Sequence, residues 1–517
     1  MFAALVTAGL YSLAHPPFGA EILLFGALVP LLAVAERVGP ARAALAGAGF
    51  GLLIAAFIVA WIGPTLVGYY ERSIPFTAAL LLLLWLTMGA PFYAVALGAL
   101  AFVRPHVSRG AWLLLVPVAW VTAEITRSQL GLRASWALVG DAFHSFERLR
   151  QIADVTAVYG VSFVVVLANA VLLQGVRALR DRGARPGFAR IALVFLVLLS
   201  GVLLYGERAR DRFPTGASDE GLDVLLVQGN VEPRLRWQRT LATRVLMRYG
   251  SLTREATAGD TPPDLVIWPE NAIQTGVEDA VHGPPLRRFA DGLGVPLLLG
   301  APRNEQRDGE TVHFNAVHLL APGAAPDFYD KRRLMPFGES DPIGDAFDTG
   351  RRGDLDSGRW LAGERLGVFG IGDQLFGILI CLEAIYPEMA RDVVASGARV
   401  LVNLSNDGWF QGAGGPEQHF QQTVFRAIET RRPLLRVTTT GITALVEPDG
   451  TVARRLDHGE RGTLRVRVRP ASGDPSFYVR FGDVFGWGCV AVLAGAVAIA
   501  AVRRARGDPH ALAPEPR

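Results

Sequence analysis

Residues 265–270 read Leu265-Val266-Ile267-Trp268-Pro269-Glu270. An unbroken run of apolar residues predicts a strand covered on both faces, because such a strand has no polar side to alternate with. Proline has no N–H for a ladder, so Pro269 predicts the strand's end. Glu270 is then a carboxylate at the tip of a buried strand. The pattern recurs at Gly377-Ile378-Leu379-Ile380, which stops at Cys381 before Leu382 and Glu383. Working outward, similar short runs predict strands at Asp223–Gln228, Leu297–Gly300, Ala316–Leu320, Val400–Asn403, Leu435–Thr438, Ala444–Glu447 and Leu464–Val468. Amphipathic stretches between them predict helices over 237–258, 284–293, 386–396 and 416–431. Strands alternating with helices, then strands in hairpin-like succession, indicate a layered α/β domain with its core at 220–470.

The rest of the chain is written for another solvent. Of 517 residues, half are hydrophobic and 19% charged, and the mean hydropathy is +0.29. That excludes a disordered chain and argues against a wholly aqueous one. Residues 1–206 hold only 22 of the 99 charged side chains, against 77 in 207–517. Apolar runs near 2–14, 20–35, 43–66, 76–103, 111–126, 158–176 and 190–206 predict seven membrane spans, and 484–502 an eighth. The first two are short of the roughly 20 residues a span needs, and the breaker cluster His15-Pro16-Pro17-Phe18-Gly19 makes them a tight pair. Met1–Ala14 lacks a basic leader and a small-residue cleavage site, so it reads as a membrane helix and not as a signal peptide.

Arginine placement orients the spans. Arg37 and Arg42, Arg104 and Arg109, the loop 177–190 with its five arginines, and Arg503, Arg504 and Arg506 all fall on one side of an eight-span chain. The positive-inside rule makes that side cytoplasmic. The expected organisation is a membrane domain over 1–206, an extracytoplasmic domain over 207–483, a last span over 484–502 and a cytoplasmic tail over 503–517. Residues 127–157 are expected to form a long outward loop. The net charge of +3 does not point to nucleic acid, since the arginines do not cluster on one face.

Three residues form a candidate reacting centre. A thiol is a good nucleophile only as thiolate, so Cys381 needs a base or a nearby cation. Glu270, buried at a strand end, has the chemistry of that base. Lys331 is the only lysine in a chain with 50 arginines. An incidental surface cation here would be arginine, whereas lysine is compact and shifts its pKa readily on burial. The bland reading stays open: Cys381 as a small buried hydrophobe, Glu270 as a turn residue, Lys331 as a surface charge. The other cysteine, Cys489, lies in the predicted last span and is expected to be idle. Two cysteines make neither a disulfide framework nor a zinc cluster.

Several segments around these residues form an ordered set: His15-Pro16-Pro17-Phe18-Gly19, Gln228-Gly229-Asn230, Trp268-Pro269-Glu270, and Lys331-x-x-Leu334-x-Pro336-Phe337-Gly338-Glu339. The set continues through Cys381-x-Glu383, Ser405-Asn406-Asp407-Gly408-Trp409-Phe410, Gly415-Pro416-x-Gln418-His419, Arg431-Arg432-Pro433-Leu434-Leu435-Arg436 and Thr440-Gly441-Ile442-Thr443. In these residues the sequence resembles the nitrilase superfamily, and over essentially its whole length it resembles the superfamily's membrane-integrated branch, the apolipoprotein N-acyltransferases.

The resemblance implies a polytopic α-helical membrane domain of about eight spans joined to a nitrilase-like α-β-β-α sandwich. It implies Glu270 as general base, Lys331 as oxyanion-stabilising cation and Cys381 as acyl-accepting nucleophile. Glu339 and Glu383 would be supporting acids, and Trp237 and Trp409 tryptophans on mobile arms at the substrate entrance. The implied reaction moves an acyl chain from a phospholipid, through a Cys thioester, to the α-amino group of an S-diacylglyceryl cysteine on an apolipoprotein. It requires no metal and no cofactor. The implied partners are the phospholipid donor, the lipoprotein acceptor and the bilayer, with a monomer expected in the cytoplasmic (inner) membrane and no nucleic acid. Packing and turn roles suffice for Asn230, Asn315 and Asn406, and His419, which opens an amphipathic helix, reads as a structural histidine. The sequence departs from the family pattern at Leu382, where tyrosine is common, at Ser340, where an aromatic is common, and at Ala134-Ser135-Trp136, which replaces an Asn-Pro-Trp-like segment. These departures bear on acyl-chain fit, acceptor fit and rate. Two readings compete: a membrane-tethered amidase or nitrilase-type hydrolase of small molecules, and a non-catalytic lipid-binding or transport protein.

Overall fold

The computed structural model describes the chain except residues 70, 213–220, 232–240, 260, 308, 337–338, 341–358, 411–413 and 507–517. The chain forms two compact units. One comprises Met1–Arg212, Gln411–Phe425 and Phe481–Arg517, the other Phe213–Phe410 and Arg426–Arg480.

In the first unit, five helices are long and apolar enough to cross a membrane: Pro40–Ile58, Ile74–His106, Val158–Arg180, Arg182–Asp211 and Val484–Ala505. The sequence predicts eight spans, and among the described residues the other three fall short of that standard for separate reasons. Phe2–Ala14 is apolar but short. Residues 20–35 are not one helix but the pieces Glu21–Leu23, Leu24–Ala27 and Val29–Arg37, with Pro30 at the start of the last. Arg109–Gln129 has 21 residues but ends in the polar run Glu124-Ile125-Thr126-Arg127-Ser128-Gln129, with Glu124 and Arg127 buried.

Helices Pro40–Ile58 and Ala90–Val103 approach backbone to backbone. A Cβ on Gly47 would stand 2.2 Å from Tyr93 O, so the Gly47-x-x-x-Gly51 stripe is what permits the contact. The basic loops gather at one end of this unit. Glu36 pairs with Arg177 and lies 3.7 Å from Arg104, and Arg503 Nη1 donates to His106 O at 2.5 Å.

Residues 130–157 do not stand out as a free loop. Buried backbone groups need partners, and side chains of the neighbouring helices supply them. Arg127 Nη2 donates to Trp136 O at 3.0 Å, Tyr11 Oη donates to Ala137 O at 2.9 Å, and Val139 N donates to Glu124 Oε1 at 2.9 Å. The Trp136 indole donates to Gln418 Oε1 at 2.7 Å, and Gln418 Nε2 donates to Pro16 O at 2.7 Å.

The second unit is an α-β-β-α sandwich. One sheet contains β1 (Leu222–Gln228), β2 (Leu265–Ile267), β3 (Leu297–Arg307), β4 (Glu310–Leu320), β5 (Asp327–Asp330), β6 (Arg359–Trp360) and β13 (Gly462–Val468). Its order is β13-β1-β2-β3-β4-β5, with β6 beside β4. The other holds β7 (Val368–Ile371), β8 (Gln374–Ile380), β9 (Val400–Ser405), β10 (Leu434–Thr438), β11 (Thr443–Val446) and β12 (Val452–Leu456), in the order β12-β11-β10-β9-β8-β7. The central strands β1–β2–β3 and β8–β9–β10 run parallel. Both sets are buried and apolar, as the uninterrupted runs predict.

Outside the first sheet, helices Ala242–Ala256 and Gly283–Leu293 close a core around Trp268, Tyr249, Val266, Leu286 and Leu299. Helix Pro387–Ala395 packs on β8. Each predicted strand overlaps an observed one, and each predicted helix likewise, although 237–240 lie outside the described residues. The strands β5, β6, β7 and β12 are additional. They are short or charged (β12 reads Val-Ala-Arg-Arg-Leu), and an edge strand of that kind carries little hydrophobic signal.

Candidate active site

Four strand ends converge on one buried polar cluster. Glu270 lies three residues beyond β2, Lys331 directly follows β5, Cys381 directly follows β8, and Asn406 directly follows β9. Side chains at the carboxyl ends of parallel strands leave the sheet where its ladder stops, which is where α/β proteins build sites.

The turn carrying Glu270 is held on both sides. Trp268 N donates to Leu298 O at 2.8 Å, Gly300 N to Pro269 O at 3.1 Å, and the Trp268 indole to Thr253 Oγ1 at 3.0 Å. A Cβ on Gly300 would stand 2.5 Å from Glu270 Cα, so only glycine lets β3 pass beneath this turn. Cys381 has φ +53°, a left-handed conformation that a side chain with a Cβ rarely adopts. Such a residue persists only where its surroundings hold it. Asn403 Nδ2 contributes here by donating to Cys381 O at 3.2 Å and Leu379 O at 3.1 Å.

Lys331 is 1% exposed. Its Nζ lies 3.4 Å from Glu270 Oε1 and 2.9 Å from Glu339 Oε1. Asn315 Nδ2 donates to both acids, at 2.7 Å to Glu270 Oε1 and 2.5 Å to Glu339 Oε1. The other Glu270 oxygen accepts from Asn406 N at 2.6 Å, and the other Glu339 oxygen from Met335 N at 2.8 Å. Each carboxylate is therefore oriented by a backbone N–H, a carboxamide and an ammonium. Glu383 is a second hub. Its Oε1 accepts from Tyr329 Oη at 2.9 Å, Arg332 N at 2.7 Å and Arg333 N at 3.1 Å, and its Oε2 from Ile380 N at 2.7 Å. It thereby ties the chain on either side of Lys331 to the residue before Cys381.

Residues 7–171 match the Apolipoprotein N-acyltransferase N-terminal domain, and residues 226–475 match the Carbon-nitrogen hydrolase family. A protein of Geobacter metallireducens named apolipoprotein N-acyltransferase is 34% identical, over 98% of this chain and 96% of its own length. The chain belongs to the apolipoprotein N-acyltransferase family. Proteins given that name in Azotobacter vinelandii and Methylococcus capsulatus are each 31% identical, over 91% and 98% of this chain and 89% and 96% of their own.

In this apolipoprotein N-acyltransferase family member, the electrostatics of the cluster follow from burial. Burial pushes the Cys381 thiol up, Glu270 and Asp407 add to that, and Lys331 and a hydrogen bond with Ser405 oppose it. Burial thus favours the neutral thiol at rest. Burial alone would lower Lys331, but Glu339, Glu270 and Cys381 together raise it well above the usual lysine range, so its charge is permanent. Burial also raises Glu383, against the donors that surround it.

Of the other predicted residues, Trp409 is buried and stacks on Phe410 with ring centroids 4.1 Å apart. Trp237 lies outside the described residues. His419 is buried beside Trp136 in the first unit, and Cys489 is buried in helix Val484–Ala505. Ser340 N donates to Met335 O at 3.2 Å, closing the turn that carries Glu339. Sequence reasoning gave Asn315 only a packing or turn role, and it missed Tyr329 altogether. The available signal for Asn315 was a lone carboxamide directly before the apolar run Ala316–Leu320 of β4.

Proposed function

We propose that this chain transfers an acyl chain from a membrane phospholipid, through a thioester on Cys381, to the α-amino group of the S-diacylglyceryl cysteine that begins an apolipoprotein. The observation that carries this reading is the burial of Cys381, Glu270 and Lys331 in one polar cluster, in a chain that also has five helices of membrane-crossing length. The names of its relatives support it.

Glu270 takes the Cys381 proton as the thiolate attacks the ester carbonyl. Lys331 stabilises the oxyanion. The lysophospholipid leaves with the proton from Glu270, and a thioester remains. The lipoprotein amine then attacks the thioester, Glu270 accepts the amine proton, and the departing Cys381 thiolate recovers it. Glu339 and Asn315 hold Glu270 and Lys331 in register, and Glu383 holds the two chain segments that carry Lys331 and Cys381. Trp237 and Trp409 serve as a lid at the substrate entrance.

Residues 1–206 and 484–502 form the membrane domain in this reading, with 207–483 as the catalytic domain on the extracytoplasmic side of the cytoplasmic (inner) membrane. Arginine-rich loops at one end of the helical unit support that orientation, by the positive-inside rule. The protein acts as a monomer.

The test is incubation of the purified protein with phospholipid, followed by mass analysis of the Cys381 peptide and then by addition of a diacylglyceryl peptide. A hydroxylamine-labile acyl adduct that moves to the peptide amine is expected, with Cys381→Ala forming none and Lys331→Arg losing most activity. Release of free fatty acid without transfer would favour the hydrolase. Absence of any adduct would favour a binding or transport protein.

A further inference from the structure

One guanidinium lies behind both reacting groups, and the acyl-transfer steps above leave it unused. β9 runs between β8 and β10, with Leu379 opposite Asn403 and Asn403 opposite Arg436. Arg436 Nη1 donates to Asn403 Oδ1. With its oxygen engaged there, the Asn403 carboxamide turns its NH2 group the other way, and Nδ2 donates to Leu379 O at 3.1 Å and to Cys381 O at 3.2 Å. Arg436 Nη2 donates to Asp407 Oδ2 at 2.8 Å, and Asp407 Oδ1 accepts from Ser405 Oγ at 2.7 Å. Between Ser405 and Asp407 stands Asn406, whose N–H donates to Glu270 Oε2 at 2.6 Å. Asn403, Ser405, Asp407 and Arg436 are all 0% exposed. Glycine makes room for the carboxylate: a Cβ on Gly441 would stand 2.1 Å from Asp407 Oδ2 and 2.6 Å from Asp407 Cβ.

Arginine suits both arms of this arrangement. Its guanidinium presents separate nitrogens in a fixed planar fork, whereas lysine is a point charge on a flexible stem. Each arm ends on a constrained group of the site. Cys381 has φ +53°, a conformation that persists only where its surroundings hold it, and Asn403 is one of those holds. The Glu270 carboxylate is oriented by the N–H of a turn that Asp407 pins from behind. A buried ion pair adds little net stability over apolar packing, so fold stability alone does not account for one placed here. We propose that Arg436 is a positioning residue that sets nucleophile and base in register with each other. Through Asn403 it fixes the backbone of Cys381, and through Asp407 it fixes the turn whose N–H orients Glu270.

The proposal rests on Cys381 being an acyl-accepting nucleophile, and its test uses an activated ester in place of lipid. The full chain in detergent is mixed with p-nitrophenyl acetate. Cys381 Sγ bonds to the acetyl carbon as the ester C–O bond breaks, p-nitrophenolate leaves, and the thiol proton passes through Glu270 to water. The burst of p-nitrophenolate yields a rate constant and an amplitude, and mass analysis places the acetyl group on Cys381. Arg436→Lys should lower the rate constant about a hundredfold at the parent's amplitude, the effect of a shift of about 1 Å between reacting groups. A merely structural role would instead lower the amplitude at an unchanged rate constant, and that result would overturn the proposal. Asn403→Leu and Gly441→Ala each disturb one arm and should lower the rate constant about tenfold. Either of them at the parent's rate constant would overturn it, whether or not Arg436→Lys folds. Adding Asn403→Leu to Arg436→Lys should cost no more than about threefold, since that arm is already lost, and a further loss of about tenfold would count against the shared guanidinium. A parent with no burst would also overturn the proposal, since Cys381 would be no nucleophile. If the variants slow the burst as expected but phospholipid forms no adduct on the parent, the acyl-transfer reading fails and the role of Arg436 stands.

Discussion

Asn315 Nδ2 stands 2.7 Å from Glu270 Oε1, and the same NH2 group stands 2.5 Å from Glu339 Oε1. One neutral carboxamide therefore separates two acids that share a single buried ammonium. Its donor capacity does not depend on pH.

Replacing Asn315 with aspartate puts a third carboxylate in a site with one cation. Like charges at this range raise one another's pKa and pull Lys331 out of place. Asn315→Asp should slow acyl-enzyme formation by about a hundredfold or more, and Asn315→Ala by about tenfold. Single-turnover kinetics on Cys381 would measure both, and an Asp variant at the parent's rate would refute the bridging role.

Glu383 receives four donors, three of them backbone N–H groups, so it must be an acceptor on both oxygens. Glu383→Gln points an NH2 at one set of those donors. The expected cost is about 2–4 kcal/mol of stability, because the displaced N–H groups stay buried without a partner. Tyr329→Phe removes one donor of the set and should cost only about 1 kcal/mol. Melting of the two variants in detergent should show that order, and the reverse order would contradict the hub.

Gly300→Ala tests how closely the Glu270 turn is set. The new Cβ would meet Glu270 Cα at 2.5 Å, and both groups are backbone-borne, so the turn must shift. Displacement of a reacting group by about 1 Å can cost about a hundredfold in rate. We expect folded protein with activity lowered at least tenfold, measured as transfer rate at saturating lipid. Unchanged transfer would mean that the base does not sit on this turn.

His318 on β4 supplies a pH dependence of stability. Burial lowers it to about 4 from 6.5, with Arg303 adding to the effect. The folded value lies below the unfolded one, so between them the unfolded chain binds the proton first. Its contribution to stability is complete above about pH 6.5 and is lost as pH falls towards 4, reaching about 3 kcal/mol. The melting temperature should fall less between about pH 7.5 and about pH 5 in His318→Leu than in the parent. Equal falls would show that His318 is not held neutral.

The chain's local patterns determined much of its structure. Every strand with an unbroken apolar run was legible, because burial on both faces writes itself into consecutive residues. Glu270 and Cys381 stood out as polar residues where an apolar run ends, and Lys331 as a lysine among arginines, whereas Glu339 and Glu383 were implied only by the family resemblance. Tertiary structure decided the rest. Glu124 and Arg127 make Arg109–Gln129 look less like a span, yet both are buried in the helical unit, and hydropathy along one helix cannot register what the neighbouring helices satisfy. Asn315 and Tyr329 are unremarkable in sequence. Strand register brings Asn315 onto two glutamates 45 and 24 residues away, and Tyr329 onto one 54 residues away. A hydrogen bond depends on angstrom distances between such remote positions, and no local pattern encodes those distances.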